Sequence, residues 1–123
     1  MKTFQSMRMY LMADIDIYSV LVTRIEYGDK SGSKIRPAVV VKFNDEVIRT
    51  FRITSKYENK SDYIKSQYLE IIDWFKAGLR RPSWIDMVQL YDIDNDGFNI
   101  KVIGKLSDRD INRLKEYIRD KEL

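Results

Sequence analysis

The chain has no cysteine and no histidine among its 123 residues. Without cysteine it has no disulfide, no thiol nucleophile and no thiolate ligand for a metal. Without histidine it cannot use a histidine-based catalytic triad or the most common general base of enzymes. No apolar run approaches the roughly 20 residues that cross a bilayer, and the polar start of the chain is unlike a secretory signal. We therefore expect a cytoplasmic protein with no membrane partner.

Size and charge fit one globular domain with an anionic partner. The hydrophobic fraction is 44% and the charged fraction 33%, which is ordinary for a globular domain. The formal net charge of +3 suits an anionic ligand but is weaker than the polybasic pattern of strong nucleic-acid binders. Between residues 24 and 65, ten basic residues stand against six acidic ones. Residues 1–12 are interpreted as an N-terminal extension and residues 13–123 as the domain.

Runs of β-branched and apolar residues predict a mainly β fold. Two pairs of strands are expected to form antiparallel hairpins, because each pair is joined by a short polar turn. The fourth strand is expected to bend near Asp86, and a loop at 24–34 follows the first. The five expected strands are 14–23, 37–43, 47–54, 84–93 and 99–104.

The segment 63–79 fits two structures. Its apolar residues have helical spacing, Ser61 could cap a helix there, and Gly78 could end it. Residues 68–72 also fit a short strand that is followed by a helical turn. Periodicity alone favours one long helix.

The last helix has the clearest sequence signals. Ser107 is expected to be its N-cap, with Asp110 three residues later. Leu106 and Ile111 occupy the two positions of a hydrophobic staple, which fixes how the chain enters a helix.

The stretch 28–41 joins a basic loop to a buried strand. Backbone N–H groups of a Gly/Ser loop such as 31–33 can form an anion-binding concavity. Pro37 fixes its own φ and drives Arg36 towards extended geometry. Arg36 is therefore expected at the mouth of a rigid strand, where its planar guanidinium could receive a phosphate.

A second polar cluster, Thr54-Ser55-Lys56, ends the third expected strand. Arg36 lies nine residues before Asp45 at the turn, and Thr54 lies nine residues after it. In an antiparallel hairpin these two positions should face each other. The sequence therefore predicts that Arg36 and Thr54 lie side by side.

Other motifs are weaker. The stretch Asp92–Gly97 imitates the start of a calcium-binding EF-hand loop, but position twelve is Ile103 instead of glutamate and its flanks fit strands. A hairpin turn is the better interpretation. Trp74 and Trp84 could stack on bases, although core packing is the simpler role.

Five short segments of this chain resemble the MazF/PemK family of toxin-type endoribonucleases. Residues 13–18 (ADIDIY) are similar to the opening motif of the family. Residues 31–41 (SGSKIRPAVVV) resemble its loop and Arg-Pro strand, and residues 53–55 (ITS) its second active-site strand. The later strand and the entry into the last helix are matched by 82–85 (PSWI) and 103–107 (IGKLS). Ala13 departs from the usual glycine.

The resemblance implies an SH3-like small barrel of antiparallel strands with a C-terminal helix. It favours a strand at about 67–72 with a short helix after it. It also implies a homodimer, an antitoxin partner, and cleavage of single-stranded RNA without a metal or cofactor. Arg36 and Thr54 match its catalytic residues, with Ser55 the alternative hydroxyl. The RNA-binding residues would be Lys30, Ser31, Ser33, Lys34, Ser55, Lys56 and Ser83.

Two other functions remain open from the sequence. The same fold could serve as a non-catalytic toxin that binds a topoisomerase such as gyrase. It could also be an RNA-binding module without activity. For Arg36, the structural alternative is a salt bridge at the entrance of a strand.

Overall fold

The computed structural model describes residues 15–26, 33–94 and 100–121. These residues form one six-stranded antiparallel sheet, in the strand order β4-β5-β3-β2-β1-β6, and two helices. The predicted mainly β fold with a C-terminal helix is confirmed. No helix in these ranges is long and apolar enough to cross a membrane. The elements are β1 (Ser19–Glu26), β2 (Ser33–Phe43), β3 (Val47–Thr54), α1 (Asp62–Lys65), β4 (Tyr68–Ile71), β5 (Ser83–Asp94), β6 (Lys101–Lys105) and α2 (Asp108–Lys121).

The sheet has an apolar cluster on each face. Successive side chains of a strand point to opposite faces, so Val39 joins one cluster and its neighbour Ala38 joins the other. Helix α2 packs on the Val39 side, where Leu114 is fully buried. The sheet is therefore held between the helix on one side and a smaller apolar cluster on the other.

The predicted β2–β3 hairpin is confirmed. Asn44 makes its turn, because the side-chain Oδ1 accepts the N–H groups of Glu46 and Val47 at 2.8 and 3.0 Å. The strands pair with Val39 opposite Phe51 and Ala38 opposite Arg52. This register fixes which residues of β2 and β3 lie opposite each other at the end of the hairpin away from the turn.

The first strand starts at Ser19 and not at residue 14 as predicted. Residues 16–19 form a turn, in which the Ser19 N–H donates to the Asp16 carbonyl at 3.0 Å. Tyr18 takes the left-handed φ of 74° that this turn needs. Before this strand, Ile15 is buried and Ile17 is 44% exposed.

The loop expected at 24–34 is shorter, because both flanking strands extend into it. Strand β1 continues to Glu26 and pairs with Ser33 of β2. Arg36 therefore lies inside β2, not at its mouth as predicted. Pro37, which has no N–H to donate, stands one residue before the β2–β3 ladder begins at Ala38.

The segment 63–79 is not one long helix. Ser61 caps the four-residue α1 by accepting the Ile64 N–H, and β4 follows at Tyr68–Ile71. The alternative of a short strand followed by a helical turn is thus confirmed, since the Ala77 N–H donates to the Asp73 carbonyl at 3.1 Å. The short helix implied by the resemblance was wrong, because residues 72–78 form turns and not a helix.

The second expected hairpin was also wrong. In the described ranges β6 pairs with β1, on the far edge of the sheet from β5. Strand β1 has β2 on one side only, so β6 fills its second edge and adds Val102 to the Ala38 cluster. The expected bend near Asp86 coincides with a register shift of β5 against β3.

Helix α2 begins as predicted. Ser107 accepts the Asp110 N–H at 3.2 Å, and Leu106 and Ile111 both belong to the apolar cluster under the helix. The buried Asp110 carboxylate reaches out of the helix and accepts the N–H groups of Ile72 and Asp73 at 2.9 and 2.8 Å. The start of α2 is thereby joined to the chain that leaves β4.

We expect Asp110→Ala to lower the free energy of unfolding by about 3 kcal/mol, because it leaves two backbone donors and Arg113 without their buried acceptor. Asp108→Ala is the matched control, since Asp108 lies exposed in the same helical turn and should cost under about 1 kcal/mol. Urea denaturation of both variants measures the difference. Equal losses would contradict a special role of Asp110.

Candidate active site

A cavity of about 470 Å³ opens where β2 and β3 run past the turns that follow β4. Its volume falls within the range of about 300–1,000 Å³ that is typical of small-molecule pockets. We call it the cationic cavity, because four of its lining residues are basic and none of the described ones is acidic. The basic residues are Arg36, Arg80, Arg81 and Lys101.

Arg36 and Thr54 line this cavity together. The pairing of Ala38 with Arg52, continued by two residues, sets Arg36 opposite Thr54. On its other side Arg36 pairs with Thr23 of β1, whose side chain is buried. The predicted neighbourhood of Arg36 and Thr54 is therefore confirmed, while their chemical roles stay predictions.

The Arg36 guanidinium is partly withdrawn from solvent. Its Nε atom is buried and has no hydrogen-bond partner among the residues that the structure describes. A buried donor without a partner costs about 1–3 kcal/mol. An anion bound in the cavity could supply the missing acceptor.

The chain turns sharply just after Thr54. The Lys56 N–H donates to the Thr54 Oγ1 at 3.1 Å. Tyr57 then stacks on Trp84, with ring centroids 4.5 Å apart and planes 3° apart, and Trp84 faces Thr54 across β3 and β5. The stacked rings hold the turn that orients the Thr54 hydroxyl. Trp84 is thus half-buried beside the site.

The opposite wall of the cationic cavity comes from the end of the 72–81 segment. Gly78 there has a φ of +88°, and a Cβ on it would lie 2.1 Å from the carbonyl oxygen of Ile103. A Cβ on Gly104 would in turn lie 2.3 Å from the carbonyl oxygen of Ala77. Only glycine at both positions lets this segment lie against β6 with backbone on backbone.

Helix α2 holds the start of the same segment. Arg109 binds the Asp73 carboxylate through two nitrogens, at 2.6 and 3.1 Å. The Ser107 hydroxyl donates to the same carboxylate at 2.6 Å. The hydrogen bonds from Arg109 and then Ser107 lower the pKa of Asp73 to about 2. Asp73 therefore stays ionised at neutral pH and ties the segment to the helix.

The predicted RNA-binding residues fall into four groups. Ser55 and Ser83 line the cationic cavity with Arg36 and Thr54. Ser83 is buried, and its hydroxyl donates to the Arg81 carbonyl at 2.9 Å. Lys56 is exposed directly after the site but is not part of the cavity wall. Lys30 and Ser31 lie outside the described residues. Ser33 and Lys34 belong to β2, but their side chains are not among those described.

Sequence reasoning did not select three of the four basic residues of the cavity. A signal did exist for Arg80 and Arg81, since this basic pair stands between Gly78 and Pro82 in a segment with little other charge. Lys101 had no such signal. It reaches the cavity because β6 pairs with β1, which places Lys101 opposite Val22.

The calcium-like stretch gives no metal site in the described residues. Asp92 lies in β5 and binds Arg49, its partner on β3, at 2.9 Å. No group of three or more metal-ligating side chains occurs in the three described ranges. The predicted turn at 94–97 falls mostly outside them.

The chain was compared with known protein families and with curated proteins. Residues 14–121 match the family described as PemK-like, MazF-like toxin of type II toxin-antitoxin system. No curated protein matched the chain. The matched range contains every residue that the structure describes, and so the whole wall of the cationic cavity.

We expect Gly104→Ala to push the 72–81 segment away from β6. The added methyl group meets backbone atoms of Ala77, so relief requires a backbone shift, which should cost about 1–3 kcal/mol. Lys105→Ala is the control, because Lys105 is exposed on the same strand. Hydrogen exchange at the Leu79 amide, which bonds the Trp74 carbonyl at 3.1 Å, should accelerate in Gly104→Ala alone. Unchanged exchange would contradict the close packing.

Proposed function

Because the chain belongs to the PemK-like, MazF-like toxins of type II toxin-antitoxin systems, we propose that it is an endoribonuclease that cleaves single-stranded RNA. The family implies endoribonuclease activity and an antitoxin partner in general terms. The observation that carries the proposal is the joint position of Arg36 and Thr54 in one cavity whose described wall has four cations and no carboxylate. Such a wall favours a ligand with a phosphodiester backbone.

The proposed reaction uses a nucleophile that the RNA itself carries. The 2′-oxygen attacks the adjacent phosphorus, the bond from phosphorus to the 5′-oxygen breaks, and the 2′-proton leaves. The 5′-oxygen gains a proton, so the products are a 2′,3′-cyclic phosphate and a 5′-hydroxyl. The protein has to align the 2′-oxygen with the bond that breaks and to stabilise the charge on the phosphate. This chemistry needs no histidine, no thiol and no metal.

Arg36 and Thr54 would divide the stabilisation of the phosphate between them. The guanidinium of Arg36 can donate to non-bridging phosphate oxygens with matched planar geometry. Its buried Nε lacks an acceptor among the described residues, so the phosphate would supply one. Thr54 can donate its hydroxyl proton to an oxygen of the same phosphate, because the Lys56 N–H already occupies the hydroxyl oxygen as an acceptor.

Further parts of the proposal follow from the family. The protein would act as a cytoplasmic homodimer, and a cognate antitoxin would inhibit it. The basic stretch with Lys30, Ser31, Ser33 and Lys34 would cover the bound RNA. The RNA strand beside the cleaved bond would contact Ser55, Lys56 and Ser83.

We expect Arg36→Ala to reduce cleavage of a long single-stranded RNA by at least about 10²-fold, as for loss of a donor to a charged transition state. Arg119→Ala is the matched control, because Arg119 is exposed on α2 and lies outside the cavity wall. The wild type and the control should make the same discrete cuts in EDTA.

Two results would oppose this proposal. Cleavage that survives in Arg36→Ala, together with a lower melting temperature, would make Arg36 a structural residue. No cleavage by folded wild-type protein would point to a non-catalytic toxin, and inhibition of gyrase supercoiling would then identify it.

Thr54→Val tests the hydroxyl itself, since valine keeps the shape of threonine and removes the donor. We expect cleavage to fall by about 10²-fold, the effect of losing one stabilising donor. Ser55→Ala should retain most activity, because the register that pairs Ala38 with Arg52 puts Thr54, and not Ser55, opposite Arg36. The rate constant at saturating RNA, measured for both variants, separates the two positions. A larger loss in Ser55→Ala would transfer the role to Ser55.

A further inference from the structure

The cationic cavity contains more positive charge than one phosphate requires. Arg36 with Thr54 can hold the phosphate that is cleaved, as proposed above. Arg80, Arg81 and Lys101 line the same cavity from other elements. Their charges need a separate explanation, because like charges that lie close together repel each other.

The described arginines differ in whether a carboxylate lies beside them. Arg49, Arg52, Arg109 and Arg113 each bind an aspartate within 4 Å. Arg80 and Arg81 are exposed and have no carboxylate partner in the described parts of the chain, and Lys101 likewise has none there. Three cations on one wall, left without counterions, attract an anion from solution.

The backbone that carries the two arginines is held at both ends. Before them, the Leu79 side chain is buried and its N–H donates to the Trp74 carbonyl at 3.1 Å. After them, the buried Ser83 hydroxyl donates to the Arg81 carbonyl at 2.9 Å. The close contact between Gly78 and β6 fixes the segment against the strand of Lys101. The three cations are therefore set on a rigid frame while their side chains remain exposed.

We propose that Arg80, Arg81 and Lys101 form a second phosphate site, which binds the backbone phosphate of a nucleotide next to the cleaved bond. The proposal rests on the proposed ribonuclease function and adds a positioning site to it. Contacts to backbone phosphates set the register of a nucleic acid without reading its sequence. The second site would thus fix how far the RNA advances past Arg36 and Thr54.

Binding of a 2′-deoxy oligonucleotide tests the site without cleavage, because this strand lacks the attacking hydroxyl. The affinity is measured against salt for the wild type and for Arg80→Ala/Arg81→Ala. Each lost phosphate contact lowers the slope of log K against log salt by about 0.7 for a single strand. We expect the slope to fall by about 0.7 to 1.4 in this double variant. Arg119→Ala/Lys121→Ala removes the same charge from exposed positions of α2 and should leave the slope unchanged.

A scan with neutral phosphates identifies which contact is lost. Each oligonucleotide in the set carries one uncharged methylphosphonate in place of one phosphate. The wild-type protein should bind an oligonucleotide weakly when the methylphosphonate replaces either of two neighbouring phosphates. Arg36→Ala should lose its sensitivity at one of these positions and Arg80→Ala/Arg81→Ala at the other. A general loss of charge or of stability would weaken binding of every oligonucleotide in the set and would not remove the sensitivity at one phosphate position alone.

Several results would overturn the second site. One is a salt slope of Arg80→Ala/Arg81→Ala equal to that of the wild type. Another is a methylphosphonate pattern that this double variant shares with the wild type. A third is binding by the wild type that does not depend on salt. None of them depends on cleavage. Absence of RNA cleavage with the expected two-position pattern would instead refute the ribonuclease proposal and leave the phosphate site standing.

Discussion

The antiparallel register of β2 and β3 is the constraint on which the site depends. Ala38 opposite Arg52 puts Arg36 opposite Thr54, and a shift by one residue would turn either side chain to the other face. Burial protects this register, because Ala38, Val39 and Val40 have no exposed surface and are divided between the two apolar clusters. Slippage would expose apolar groups on both faces at once. The stability of the sheet and the geometry of the cationic cavity thus have the same origin.

The second wall of the cavity is built by polar and backbone contacts in addition to the apolar packing of Ala77 and Leu79. Asp110 and Asp73 bind the start of the 72–81 segment to α2. Gly78 and Gly104 then bring its end against β6. A segment without a regular helix or strand can hold charged side chains in place only when its backbone groups are satisfied in this way. This explains how two adjacent arginines can face a cavity from a turn.

Local signals explain what could be predicted from the sequence. The three-residue turn and the β-branched strands predicted the β2–β3 hairpin, and counting from Asp45 gave the pair Arg36 and Thr54. The pairs next to the turn, such as Phe43 with Ile48, are offset by one residue from this count, and the register shift between Val40 and Lys42 restores the predicted pairing at the far end. Ser107 and Asp110 likewise marked the start of α2. The family predicted from five short segments was confirmed by the match over residues 14–121.

What could not be predicted depends on contacts between distant parts of the chain. Strand β6 pairs with β1, and this choice is set by which sheet edge is open, not by the turn before it. Lys101 enters the cavity for the same reason. Helical spacing at 63–79 misled, because a four-residue helix, a short strand and successive turns replace the single helix. They bury Ile71 and Leu79 but leave Ile72 and Phe75 exposed.

The anchoring of the 72–81 segment has a thermodynamic consequence for the whole molecule. Helix α2 supplies no residue to the cavity wall, yet Asp110 and Arg109 hold the segment that ends in Arg80 and Arg81. Docking of the helix and binding of an anion are therefore linked equilibria, and linkage is reciprocal. An anion in the cavity would favour the docked helix, and a partner that pulls the helix from the sheet would lower the affinity of the cavity for the anion.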